Sequence, residues 1–157
     1  MGGGGEDGAA AASGLARGMW RQGLHDLAHG HGAVRLGDHD WACVAAQQAA
    51  EKCLKAVLIG AGRAAGRTHD LNTLLDALVG AGVASRGDKA AHQRDVKLLT
   101  RSFTVARYPS ADIETPPAEL MGPEESGEAL AAAERLVAFA RALAPELDGD
   151  AGAEASP

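Results

Sequence analysis

Apolar residues in this chain recur at three- and four-residue intervals in five separate segments, and no segment alternates apolar and polar residues over a strand's length. That period places side chains on one face of a helix, so the chain is expected to be all-α. The first segment runs from about Leu15 to His29, with Trp20, Leu24 and Leu27 on its stripe and Gly30 and Gly32 expected to end it. The second opens at GDHDW, with Asp38 as the expected N-cap and Asp40 suited to the positive end of the helix dipole. It continues to Ile59 and stops at Gly60 and Gly62. Thr68 is the expected cap of the third, HDLNTLLDALVGAG, where Leu71, Leu74, Leu75, Leu78 and Val79 keep helical spacing. The fourth starts near Asp88, carries Val96, Leu99, Phe103 and Ala106, and must end near Tyr108 because Pro109 follows. The fifth starts at GPEES with Pro123 in its first turn, and Leu130, Ala133, Leu136, Val137 and Ala140 form its stripe.

Between the fourth and fifth segments, PSADIETPPAELMG has three prolines in fourteen residues and reads as an extended crossing. The other connections are short, so neighbouring helices should pack antiparallel in an up-and-down bundle of four to five helices. Abundant alanine and few aromatics (two Trp, one Tyr, two Phe) favour closely spaced helices over sheets.

The glycine-rich start, residues 1–13, has neither a basic region nor an apolar core of the signal-peptide kind, and is expected to be disordered. The acidic tail, 146–157, is read the same way, which leaves 14–145 as one domain. No unbroken apolar run is long enough to span a membrane, and a cytoplasmic location is expected. Cys43 and Cys53 fall ten residues apart on one helix, about 15 Å, too far for a disulfide and not paired as metal ligands. They read as small buried hydrophobes. A net charge of −6 argues against general nucleic-acid binding by phosphate neutralisation, though not against a local site.

The second segment contains the polar run AAQQAAEKCLKAVL. At 100° per residue, Cys43, Ala46, Ala50, Leu54 and Val57 share one face, with Gln47 inside it and Glu51 at its margin beside Leu58. Gln48, Lys52 and Lys55 line the opposite side, which also carries Trp41, Ala45 and Ile59. A helix apolar on both sides is central in a bundle or packs on a second subunit. Its polar side chains then form a structural network including a Glu51–Lys55 pair at i, i+4, or they line a cleft in which Lys52 or Lys55 meets phosphate.

Three motifs in order, DWACVAAQQAAEKCLKAVL, RTHDLNTLLDAL and ARYPSAD, resemble the HEPN domain family, in particular its prokaryotic branch related to the C-terminal domain of sacsin. The resemblance covers about Leu15 to Leu143. It implies a bundle of four or five helices that commonly forms homodimers, with QQAAEK on a dimeric or cleft-lining helix. Some members are metal-independent endoribonucleases, often toxins, that use an Arg and a His separated by about four to six residues. Others bind nucleotides or are non-catalytic partners, frequently of a small nucleotidyltransferase that serves as antitoxin.

Arg63 with His69, and Arg86 with His92, fit the ribonuclease spacing. In such a pair the His would move the 2′-hydroxyl proton and the Arg would hold the developing phosphorane charge. The nucleotide-binding reading calls on Lys52, Lys55, His69 and Arg107, with His69 near a helix N-terminus where the dipole favours anions. His25 and His29, four apart and close to His31 and Asp26, have a spacing open to a transition metal, but four histidines between His25 and His39 read as solvated surface. No metal or cofactor is expected. The leading expectation is a nucleotide- or RNA-phosphate-binding partner of a nucleotidyltransferase in a toxin–antitoxin-like pair. The alternatives are a metal-independent endoribonuclease and a dimeric adaptor without a small ligand, in which Gln47, Gln48, Glu51 and their neighbours satisfy one another.

Overall fold

The computed structural model describes residues 4–108 and 114–149. Among them the chain is all-α: α1 (Gly4–Leu36), α2 (His39–Gly60), α3 (Leu71–Gly80), α4 (Arg86–Arg107), a single-turn α5 (Pro117–Leu120) and α6 (Pro123–Leu143), then a 3₁₀ turn at Pro145–Leu147. The long helices form the expected up-and-down bundle. α2 is its axis, packed against α1, α3, α4 and α6, which explains why its sequence is apolar on both sides. Trp20, Leu54, Leu58, Leu71, Leu74, Leu75, Leu78, Leu99 and Leu136 are fully buried around it, each contributing about 1.5–3 kcal/mol.

α1 departs most from its sequence reading. It begins at Gly4 and not near Leu15, because the run Ala9–Ala12 has the highest helix propensity and extends the packed helix backwards. Residues 4–13, expected as disordered, are therefore helical. Nor do Gly30 and Gly32 end it; the helix runs on to Leu36 and turns at Gly37, whose φ of 81° suits glycine. Gly30 is a packing residue. A Cβ there would lie 2.8 Å from Leu130 Cδ2 and 3.3 Å from Ala45 Cβ. Gly23, seven residues earlier, is tighter: a Cβ would lie 2.6 Å from Cys53 Sγ and 3.2 Å from the Ala49 carbonyl. Small residues on both helices thus let α1 and α2 approach closely.

The remaining ends follow local chemistry with three changes, the first at Asp38, which precedes α2 as expected but whose side chain makes no capping hydrogen bond. α3 is capped by Asp70, whose carboxylate accepts from Asn72 N at 3.0 Å, and not by Thr68; Thr68 Oγ1 accepts from Asp70 N at 3.1 Å one step earlier. Asp88 is the third residue of a capping box and not the helix start: it accepts from Ser85 N at 2.7 Å while Ser85 Oγ accepts from Asp88 N at 3.0 Å. α4 ends at Arg107, before Pro109, as expected. Phe103 is only half-buried and lies under the Arg107 guanidinium, 4.5 Å from its centroid. The proline-rich crossing contains α5; its residues 109–113 lie outside the described residues, as does the tail from 150 onward.

Residues 146–148, assigned by sequence to the tail, fold back on the bundle. Leu147 is buried, and Asp148 Oδ1 accepts from the fully buried Trp20 Nε1 at 2.9 Å, while its other oxygen accepts from Arg141. Both cysteines are buried and unbridged. No helix among the described residues is long and apolar enough to cross a membrane.

Candidate functional site

The polar run of α2 closes on itself inside the chain. The Glu51 carboxylate, 4% exposed, accepts from Lys55 Nζ at 2.8 Å, Gln47 Nε2 at 3.1 Å and Gln48 Nε2 at 3.3 Å. His69 Nδ1 lies 3.1 and 3.2 Å from its two oxygens. Gln47 also donates to the His69 carbonyl at 3.0 Å and accepts from Gln48 at 2.7 Å. Burial alone would raise the Glu51 carboxyl, but hydrogen bonds from Lys55, Gln47 and His69, with the charge of Lys55, hold it below the usual carboxylate range. The network pins the loop before α3 to the middle of α2. His69 precedes the Asp70 cap, so it leans on a carboxylate and does not form an anion site in the first turn of α3.

The other residues singled out by sequence are dispersed. Lys52 turns to the opposite side of α2 and pairs with Asp26 of α1. Arg107 stands at the end of α4, stacked on Phe103 and Tyr108 and donating to the Tyr108 hydroxyl at 2.9 Å. Lys52, His69 and Arg107 therefore do not converge. Arg63 lines a depression with Gly80 and Ala81 at the end of α3, whereas His69 precedes its start, about 15 Å away along a ten-residue helix. Arg86 and His92 are six residues apart on α4, which puts them about 120° from one another around it. Arg86 is exposed, while the His92 ring tilts against Phe139, 4.4 Å between centroids. Neither Arg–His pair shares a cleft. Among the described residues no group of three His, Cys, Asp or Glu side chains is placed to hold a metal ion, and His31 instead pairs with Glu134 at 2.7 Å.

Positive charge is densest on α4, which carries six cations against two carboxylates in a chain of net charge −6. Lys89 pairs with Asp76, and the buried Asp95 is held bidentately by Arg135 at 2.7 and 3.0 Å. Arg86, Arg94, Lys97 and Arg101 remain exposed and without a hydrogen bond or ion pair among the described residues, and the last three stand three and four residues apart on one stripe. Of the four lysines, Lys97 alone has no carboxylate partner. The stripe was visible in the sequence as a helical spacing of cations, but the reading of α4 followed only its apolar residues.

Lys97 and Arg101 form a ridge between two grooves. On the α6 side, Glu124, Glu125 and Glu128 face the cations, which disfavours an anion. On the α3 side a groove of about 590 Å³ is lined by Asn72, Gln93, Thr100 and Thr104 together with Lys97 and Arg101. Asp70 also borders it, but its carboxylate is engaged by Asn72 N and by Thr73 Oγ1 at 2.7 Å. This side offers hydroxyls, amides and two cations without a direct ion pair, a set suited to phosphate.

Comparison with known proteins agrees with this architecture. The family model described as "HEPN domain" matches residues 16–143. The crystal structure of TT1696 from Thermus thermophilus is 34% identical and superposes with a TM-score of 0.73, covering 82% of this chain and 97% of that one. ST0689, an archaeal HEPN homologue, shares the fold at 24% identity and a TM-score of 0.65, covering 81% of this chain and 95% of its own. No curated protein matches. A family match across the bundle, joined to a one-third-identical structure of the same fold, establishes that the chain belongs to the HEPN domain family.

Proposed function

We propose that this HEPN protein binds a nucleotide, free or as part of RNA, through its phosphates. The observation that carries the reading is the stripe Arg94, Lys97 and Arg101, without a direct ion pair and beside a polar groove, on a chain whose other lysines are all matched by carboxylates. The residues named from sequence for this role, Lys52, Lys55, His69 and Arg107, are occupied within the fold, so the phosphate site moves to α4. The family resemblance adds a homodimer working beside a small nucleotidyltransferase, in a toxin–antitoxin-like pair. The test is binding of a single-stranded RNA oligomer across a salt series. Three phosphate contacts give a log–log salt slope of about −2, and Arg94→Glu, Lys97→Glu, Arg101→Glu together should abolish binding. Unchanged affinity in the folded triple variant would overturn it.

A second reading, a metal-independent endoribonuclease, is favoured by one feature. His92 Nδ1 is buried without a hydrogen-bond partner, and the ring lines a groove with Arg94 and Arg135, whereas Arg86 is remote from it. RNA cleavage in excess EDTA that is lost on His92→Ala would establish this reading, and its absence from the wild-type chain would remove it.

A further inference from the structure

The α3–α4 groove contains a pair of amides whose hydrogen bonding is incomplete. Gln93 Nε2 donates to Asn72 Oδ1 at 3.0 Å, which joins the start of α3 to α4. That bond leaves the Asn72 NH₂ and the Gln93 carbonyl oxygen with no side-chain partner among the described residues, one donor beside one acceptor. The complement is the same whichever amide gives the bond, since exchanging their roles again leaves one donor and one acceptor. Both residues line the groove that Lys97 and Arg101 border.

Their spacing along α4 is directional. At 100° per residue Gln93, Lys97, Thr100, Arg101 and Thr104 fall on one face of the helix. Lys97 stands about 6 Å and Arg101 about 12 Å beyond Gln93 along the axis. The amides are thus at one end of the groove and the cations follow at one and two turns, with Thr100 between the two cations. A nucleoside polyphosphate has the same two ends, a flat base with a hydrogen-bonding edge and a chain of charges, joined by a sugar.

Resting on the phosphate-binding reading above, we infer that the groove is an adenine-nucleotide site, with Asn72 and Gln93 reading the base and Lys97 and Arg101 holding its phosphates. Adenine offers an acceptor, N7, beside a donor, N6–H₂, and so meets the donor and acceptor that the amide pair presents. Guanine offers two acceptors on the same edge, N7 and O6, and sets O6 against the Gln93 carbonyl. The site therefore discriminates through an unpaired acceptor rather than through shape. The adenosine phosphate is the shared chemistry of free adenine nucleotides and of adenine-rich single-stranded RNA.

Calorimetric titration of the full chain with ADP, GDP, inorganic pyrophosphate, and hexameric oligoadenylate and oligouridylate tests this. The expected result is a preference of about tenfold for ADP over GDP, or for oligoadenylate over oligouridylate; which pair shows it identifies the source. Gln93→Met and Asn72→Ala should erase that preference while pyrophosphate affinity stays the same, whereas Lys97→Glu with Arg101→Glu should weaken every ligand. If either amide variant fails to fold, the wild-type comparison decides alone. Pyrophosphate binding with equal affinity for ADP and GDP, and for both oligomers, would overturn the base-reading inference and leave the phosphate site standing. No binding of any ligand would overturn both.

Discussion

Replacing Glu51 by Gln should be the most costly single polar change in the molecule. The substitution keeps the shape of the side chain but removes the charge on which Lys55 closes at 2.8 Å, where only 11% of the Lys55 side chain and 4% of Glu51 are exposed. Removing one partner of a buried pair costs about 3–5 kcal/mol, because the other charge remains desolvated. The lower end applies here, since the amide can still accept a hydrogen bond and His69 is largely exposed. At about 2–4 °C per kcal/mol for a chain of this size, a loss near 3 kcal/mol lowers Tm by about 6–12 °C. Lys55→Met should cost less, because Gln47, Gln48 and His69 still reach the carboxylate, and the double variant should cost less than the sum of the two by about 0.5–3 kcal/mol. The pH dependence supplies a second arm. The folded Glu51 carboxyl is held below its ordinary value of 4.5, so its contribution is fully present above that value and is lost as pH falls through the folded one. Urea unfolding followed by circular dichroism between pH 7 and pH 3 should therefore show a shallower acid slope for Glu51→Gln than for wild type. A stability within about 0.5 kcal/mol of wild type, or strict additivity of the two substitutions, would refute the view that this network anchors α3 to α2.

Asp148→Ala should leave the buried Trp20 Nε1 without an acceptor and cost about 1–3 kcal/mol, with a Trp20 emission shift read in a Trp41→Phe background. Gly18→Ala and Gly23→Ala should separate: at Gly18 a Cβ meets nothing within 4 Å, so the helix gains about 1 kcal/mol in propensity. At Gly23 the Cys53 sulfur and the α2 backbone oppose that gain with an overpacking cost of about 1–3 kcal/mol, and equal melting shifts for the two variants would contradict the close approach. Cys43 and Cys53 should resist alkylation at pH 8 until the chain unfolds. Burial, then the charges of Glu125 and Asp40, pushes the Cys43 thiol up to about 12, and burial raises Cys53 to about 12 against the opposing charge of Arg141; rapid labelling of the native chain would contradict this.

Local signals in the sequence were sufficient for most of the bundle. The leucine spacing of α3, the proline after α4 and Pro123 at the start of α6 each act within one helical turn, and each marks an element that is present. Gly30 was misread because its role depends on Leu130, a hundred residues away: the same residue is a stop signal locally and a close contact in three dimensions. The Glu51–Lys55 pair was legible from its i, i+4 spacing, but its closure by His69 needed the fold. For the same reason Lys52, adjacent to Glu51 in sequence, belongs to a different face and a different partner. The Arg94, Lys97, Arg101 stripe needed only a helical wheel. What the sequence could not supply was the knowledge that the fold gives the other three lysines carboxylate partners and leaves Lys97, with Arg94 and Arg101 beside it, without one.

The close seating of α1 on α2 also bears on the order in which the bundle is built. The two helices are joined by only Gly37 and Asp38, so their hairpin closes a very short loop at little entropic cost and can form as soon as Gly60 has been synthesised. α6, which completes the other side of α2, ends at Leu143. At about 5–20 residues per second a ribosome needs roughly 4–17 s to cover that interval, during which the nascent hairpin carries part of α2 uncovered. Ala42, Ala45 and Ala49 are already seated under α1 at Gly30 and Gly23 in that hairpin, and the side left open is the opposite one, which at 100° per residue carries Ala50, Leu54 and Leu58. Two leucines that are fully buried in the finished protein thus stay open to water, or to another nascent chain, until the later helices cover them.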